Sequence, residues 1–384
     1  MDTPHSDRAA KLIALYFPQL HAIPENDRWW GQGFTDWDKV KTAQPLYPEH
    51  HQPRVPDQAH YYNQADLAVI RQQAALAKSY GIYGFCHYHY WFAGKQLLQT
   101  PTELLLANKD IDIRFCLSWA NETWSRRWDG KDHQILIKQT HPPEKKLWKQ
   151  HFDYLIRAWT DERAITIHGK PVFVIYRPHL IECINEMLDY WDTLVRAEGL
   201  PGLYIIYQQQ YTCPAPDALA RFDGVFEFQP FSAINRPQET GAASQRQRLR
   251  RWISKLPAPL QSLIWTSWSE LLKSTTVYDY DTVWQDIVQL NKHPDLDTFH
   301  GAFVDWDNTA RYGKRATIVK GATPEKFRHW FHRLITQIDA DPHAEKIVFI
   351  NAWNEWSECA YLEPDTVHGL AYLEAIRDVL ATQA

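Results

Sequence analysis

What most constrains this chain is a recurrence: short runs rich in Ile, Val, Leu and Phe return along its length, separated by segments of helical period. The runs are Lys11–Pro18, Ile82–Tyr88, Ile113–Trp119, Pro171–Tyr176, Leu203–Tyr207, Phe222–Phe228, His300–Asp305 and Ile347–Ile350. Each is too short for a buried helix, and such runs read as strands covered on both faces, as in a parallel sheet wrapped by helices. Helical patterns fall between them: 63–79 with Asn63 as cap, 101–108 opened by Pro101, 144–161, 179–197 ended by Gly199, a short piece near 214–220, 324–338 and 368–382. Strand and helix alternating in this way predict a single (β/α)8 TIM barrel spanning 1–384, with long loops at its C-terminal face. An open doubly wound sheet is the competing arrangement. It calls for a glycine-rich phosphate turn, and neither GxGxxG nor GxxxxGK[ST] occurs.

Three segments stand outside the alternation. Residues 1–10 read as a disordered lead. Residues 19–62 hold Pro, His, Trp and Gly without helical period and read as a long loop forming part of a binding wall. Residues 229–298 make the longest connection, an insertion between strands six and seven. Within it, Arg246, Arg248, Arg250, Arg251 and Lys255 surround Leu249, Trp252 and Ile253, a basic amphipathic helix over 244–255. A solvated helix face is the leading reading of that stretch, ahead of peripheral contact with a membrane or polyanion.

The eighth run carries the chemistry. It passes into Asn351-Ala352-Trp353-Asn354-Glu355-Trp356-Ser357-Glu358, delivering two carboxylates at i, i+3 into a Trp-rich turn just past a buried strand. The C-terminal ends of parallel strands are where such folds place ligands and catalysts. Two acids crowded among aromatic rings repel and are desolvated, which raises a carboxyl pKa and suits acid–base work. Glu355 and Glu358 are therefore the candidate catalytic residues. Glycosidic cleavage uses such a pair, one group protonating the leaving oxygen and the other serving as base or nucleophile.

Composition agrees with that substrate class. The chain holds 18 Trp, 19 Tyr and 16 Phe, many beside polar residues, and flat rings next to hydrogen-bonding groups match the apolar faces and polar edges of pyranose sugars. A net charge of −5 argues against nucleic acid as the partner. No segment approaches a membrane span or a signal h-region, and five cysteines show no CxxC spacing, so a cytoplasmic setting is expected without disulfide framework or zinc.

The remaining strand ends supply candidate substrate contacts: Tyr16, His87 and Tyr88, Trp119 with Asn121 and Glu122, Asp305 with Trp306 and Asp307, and Asn354. Trp30, Trp124, Arg127, Trp128 and Trp356 join them as aromatic or basic companions. His87 and His89 lack a third ligand of fitting spacing and read as hydrogen-bonding histidines, so neither metal nor cofactor is expected. Asp305-x-Asp307 matches only superficially the DxD of some glycosyltransferases. Glu122 reads equally as the partner of Arg126 or Arg127 and as a sugar clamp, while Cys359 reads as packing.

The segment Asn354-Glu355-Trp356-Ser357-Glu358-Cys359-Ala360-Tyr361-Leu362-Glu363-Pro364 resembles the N-E-W-x-E-x4-E-P pattern of the endo-α-mannosidase family, glycoside hydrolase family 99. A nearer resemblance is to the WbsX-type, family-99-like proteins of bacterial surface-polysaccharide clusters. It extends to Tyr16-Phe17-Pro18-Gln19-Leu20-His21, to Ala120–Gly130 and to Trp306-Asp307-Asn308-Thr309-Ala310-Arg311, and so covers nearly the whole chain. The chain departs from the pattern at Thr123, Ser357 and Cys359, where Asn, Ala and Gly are expected, and keeps both acids. The resemblance implies a (β/α)8 barrel and a retaining mechanism assisted by the substrate. Glu355 would act on the sugar 2-hydroxyl to give a 1,2-anhydro intermediate, and Glu358 would be acid/base on the leaving oxygen. The resemblance leaves hydrolysis, transglycosylation, sugar transfer in O-antigen, lipopolysaccharide or capsule assembly, and plain glycan binding as distinct expectations.

Overall fold

The computed structural model describes residues 10–126, 131–210, 214–235, 275–289, 292–341 and 345–382. Eight strands form its centre: β1 Lys11–Tyr16, β2 Ile82–Phe92, β3 Arg114–Trp119, β4 Lys170–Ile175, β5 Tyr204–Gln209, β6 Gly224–Glu227, β7 Asp297–Phe303 and β8 Ile347–Asn351. Every neighbouring pair is parallel, and β1 is hydrogen-bonded both to β2 and to β8, which closes the ring. The predicted (β/α)8 barrel is the observed fold. Closure explains the uninterrupted apolar runs, since Leu12–Tyr16, Pro171–Ile175 and Ile347–Asn351 are buried along their whole length.

The main helices are α1 Pro24–Trp30, α2 Asp36–Thr42, α3 Leu67–Ser79, α4 Thr100–Ala107, α5 Lys145–Trp159, α6 Ile184–Ala197, α7 Tyr280–Ile287, α8 Pro324–Ala340 and α9 Ala371–Ala381. In α8, Phe327, Trp330, Phe331, Leu334, Ile335 and Ile338 form the buried stripe, repeating at the three- and four-residue intervals of one helix face. Thr323 caps its first turn, its side chain accepting from the Lys326 N–H.

Two expectations are corrected. The cap of α3 is Asp66, whose Oδ1 accepts from Ala68 N; Asn63 instead folds a turn one step earlier, accepting from Ala65 N. Residues 19–62 are not plain loop, since they contain α1 and α2. These helices have seven residues each, too short for apolar periodicity to stand out, and their start signals are local: Pro24 at the first turn and Thr35 before Asp38. The 1–10 lead except Ala10, most of the 229–298 connection with its basic 244–255 stretch, and Arg127 and Trp128 lie outside the described residues. Among the described residues, no helix is long and apolar enough to cross a membrane.

Candidate active site

After β8 the chain turns sharply. Asn354–Glu355 pairs antiparallel with Ala360–Tyr361, and Trp356–Glu358 forms a single 3-10 turn between them. Three anchors fix this turn to the end of β1. Trp353 N donates to Leu15 O at 2.8 Å, and the Asn354 amide accepts from Phe17 N at 2.8 Å while donating to Phe17 O at 3.0 Å. Underneath, Trp356 stacks on Tyr361 with ring centroids 3.8 Å apart and meets Trp37 of α2 at 5.4 Å. Its Nε1 donates to Glu363, a buried carboxyl that also accepts from Tyr62 and Gln73. The turn is thus rigid from below, and both glutamates project into a cavity of about 460 Å³.

A buried arginine organises them. Arg311 follows β7 on the short helix Thr309–Tyr312. One Nη lies 2.5 Å from Glu355 Oε1, the other 2.7 Å from Glu358 Oε1, and Asp36 of α2 stands 3.4 Å away. Three carboxylates around one cation leave an excess of negative charge out of water. Burial pushes the Glu355 carboxyl up to about 8; Arg311 opposes this, while Glu358 and Asp36 add to it. Glu358 is raised by the same burial, again against the pull of Arg311. Burial disfavours the Arg311 charge itself, and its three acidic neighbours overcome that effect.

Opposite β8 in the ring is β4, and there Arg177 donates through Nε to Glu122 Oε1 at 2.6 Å and through Nη2 to Gln210 at 3.2 Å. Glu122 is thus paired with Arg177, and Arg127, the other candidate partner beside Arg126, lies outside the described residues. Arg126 instead donates to Trp29 O at 2.7 Å and lies over the Trp30 ring.

Of the sequence-predicted contacts, Trp30, Tyr88, Glu122, Trp124, Trp306 and both glutamates line the cleft. Tyr16, His87, Trp119, Asn121, Asp305, Asp307, Asn354 and Trp356 do not. Strand alternation explains the β2 pair: Tyr88 and Tyr90 face the cleft, so His87 and His89 face the helices, where they meet Thr102 and His151. Tyr16 is buried against His87 and donates to Gln73 at 2.6 Å, and Trp119 donates to Trp91 O. Asn121 is held by the Arg177 backbone at both ends of its amide. Asp305 is paired with Arg54 at 2.7 Å, and Asp307 accepts from His50, Gln52 and Thr309. Both carboxyls are thus bonded within the protein, and no group of three metal-ligating side chains occurs among the described residues. Cys359 packs beneath the turn, its thiol pushed well up by burial.

Sequence reasoning missed Arg311 as a site residue, along with Asp36, Gln19, Asn26 and Tyr90. Arg311 stood in plain view in the Trp306–Arg311 motif. A lone arginine 44 residues from its glutamate gives no sequence signal of pairing.

Residues 12–376 match the family model described as Glycosyltransferase WbsX. The chain belongs to that family. The uncharacterized protein WxcX of Xanthomonas campestris pv. campestris (strain B100) is 36% identical over 97% of this chain and 50% of its own length. This WbsX-family chain thus spans about half the length of the curated relatives it matches. Among solved structures, a glycoside hydrolase-like protein superposes with a TM-score of 0.56 at 13% identity, covering 99% of this chain and 96% of the other. The GH99 endo-alpha-mannosidase from Bacteroides thetaiotaomicron superposes with a TM-score of 0.53 at 12% identity, covering 98% of this chain and 97% of its own. At such identities the likeness is one of fold.

Proposed function

We propose that this WbsX-family chain is a retaining glycoside hydrolase or transglycosylase acting on α-linked sugars of a bacterial surface polysaccharide or oligosaccharide. The observation that carries the reading is the placement of two carboxyls, Glu355 buried and Glu358 half-buried, against the two terminal nitrogens of Arg311, at 2.5 and 2.7 Å, on the wall of an aromatic cleft.

In the proposed reaction Glu355 takes the proton of the sugar 2-hydroxyl as O2 attacks C1. The glycosidic bond breaks, and the leaving oxygen takes its proton from Glu358. The 1,2-anhydro sugar is then opened at C1 by water, which gives a proton to Glu358 while Glu355 returns one to O2. Two inversions at C1 amount to retention, and a sugar hydroxyl in place of water gives transglycosylation. One proton on the pair is the state this chemistry needs. Burial raises both carboxyls, so the pair holds a proton to higher pH than free carboxyls do, and the member that is ionised is the stronger base.

The family description favours a second reading, sugar transfer from an activated donor. Against a metal-dependent nucleotide-sugar route stands the bonding of Asp305 and Asp307 into the scaffold. Incubation with an α-linked oligosaccharide panel, followed by reducing-end release, tests the first reading. Glu358→Gln is expected to lower turnover by roughly 100- to 10,000-fold while sparing binding. Full activity in that variant overturns the assignment, and nucleotide release from a nucleotide-sugar panel favours transfer.

A further inference from the structure

We propose that Asn26 is a specificity-determining contact of the cleft, its side-chain amide reading two neighbouring sugar hydroxyls beside the Glu355–Glu358 turn. This deepens the glycan reading above and rests on it only for the class of ligand.

Asn26 lies in the middle of α1, is 1% exposed and lines the cleft. Among the described residues, neither its Oδ1 nor its Nδ2 has a hydrogen-bond partner. Other buried asparagines of this protein are bonded: Asn354 to both backbone groups of Phe17, Asn121 to both of Arg177, Asn351 to Gln229 O. Other amides with an unpaired buried atom, among them Gln139, Gln208 and Gln229, still bond through their other end, whereas Asn26 is open at both. A buried amide left open at both ends is costly, and the cleft it lines is where a ligand would satisfy it.

The setting of α1 directs the amide inward. On either side of Asn26, Glu25 pairs with Lys95 at 2.6 Å, and Asp27 accepts from Gly33 N at 2.9 Å. Below the helix, Ile23 packs with Tyr90, Phe92, Leu97 and Leu98. One turn after Asn26, on the same helix face, Trp30 also lines the cleft. An indole face with an amide one turn away matches a pyranose, which offers an apolar face and adjacent hydroxyls. A primary amide donates through nitrogen and accepts through oxygen, so it bonds both members of a vicinal diol at once. The barrel brings this wall to the chemistry, because β1, which leads into α1, is hydrogen-bonded to β8, which leads into the glutamates. Gln19, buried on the same connection, lines the cleft as well.

The test uses the intact chain with methyl α-D-mannopyranoside, methyl α-D-glucopyranoside and methyl α-L-rhamnopyranoside, titrated by ligand-observed NMR. At least one is expected to bind saturably, and Asn26→Leu, which keeps the side chain's shape, is expected to weaken it tenfold or more. Asn26→Ala should do the same. Both variants should melt no lower than the parent, since no bond within the protein is lost. Unchanged affinity in both variants overturns the proposal, as does failure of the parent to bind any of the three glycosides. A fall in melting temperature in both variants also overturns it, because that marks a structural asparagine. Glu358→Gln serves as the control that separates the two readings. If it retains turnover while Asn26→Leu loses affinity, the catalytic assignment falls and this one stands; the converse pattern sinks this one alone.

Discussion

Arg311 and Glu355 meet at 2.5 Å, Nη2 to Oε1, with both side chains shut away from water. The same guanidinium reaches Glu358 and Asp36, so one cation is shared by three acids. Replacing it by methionine takes from those carboxyls the cation they share. Arg311→Met is expected to cost about 3–5 kcal/mol of stability at neutral pH, the usual consequence of stripping one partner from a buried ionic group. The loss should shrink as pH falls and the acids take up protons. Arg311→Lys keeps the charge but not the fork that touches two acids at once, so it should fold and still lose most activity. Denaturant melts at two pH values, with glycan turnover alongside, decide this; an Arg311→Lys enzyme of parental activity would refute the two-point role.

Stability should fall as pH rises above neutrality. For a carboxyl whose folded pKa is raised, the folded state holds more protons than the unfolded one between the ordinary value and the raised one. Its contribution is therefore complete below the ordinary value and lost as pH climbs to the folded value. For Glu355 that window runs from 4.5 to about 8, and for Glu363, which burial also raises, from 4.5 to about 7. Buried His21 and His87, lowered by burial to about 4 and about 3, work oppositely, adding stability as pH rises towards their ordinary 6.5. The two sets oppose each other below pH 6.5, and above it the carboxyls act alone. A decline of a few kcal/mol at most between pH 6.5 and 9 follows. Glu355→Gln should flatten it, and a profile rising over that range would contradict the assignment.

The barrel was legible because burial on both faces forces uninterrupted apolar runs, and such runs at Ile82, Val172 and Ile347 announce themselves. The glutamate pair was legible because acids crowded among Trp353, Trp356 and Tyr361 are costly without purpose. What stayed hidden is the direction in which side chains point. His87 and Tyr88 are neighbours in sequence yet face opposite sides of β2, and Trp356 supports the turn from beneath while Trp306 lines the cleft. Partner choice was hidden too: Glu122 had Arg126 and Arg127 close by in sequence and is paired with Arg177, 55 residues on. Those choices are made by three-dimensional closure, which leaves no local trace.

Asp305 is expected to behave as scaffold rather than as a metal ligand. It pairs with Arg54 at 2.7 Å, and both are largely buried. Asp305→Asn should cost roughly 3–5 kcal/mol by stranding the arginine, and Mn²⁺ should shift the melting temperature of neither parent nor variant. A Mn²⁺-dependent rise in the parent that Asp305→Asn abolishes would restore the DxD reading.

Among the described glycines, Gly301 has the least room for a side chain. A Cβ there would lie 1.8 Å from Glu227 O and 2.9 Å from Gln229 Cγ, so β7 approaches β6 more closely than a methyl group permits. The nearest obstacle is backbone, held in a closed sheet that has no free edge along which to move. Gly301→Ala is therefore expected to cost more than the 1–3 kcal/mol typical of an overpacked core, and to prevent folding where stability is ordinary. Gly84→Ala, whose Cβ would come within 2.6 Å of Arg114 O, should rank next. Gly199→Ala meets nothing within 4 Å, but its φ of +85° strains any residue with a side chain, so a loss near 1 kcal/mol is expected. Soluble yield and circular dichroism of the three variants check the order. A well-folded Gly301→Ala would mean that β6 and β7 leave room for a methyl group, against the 1.8 Å approach to Glu227 O.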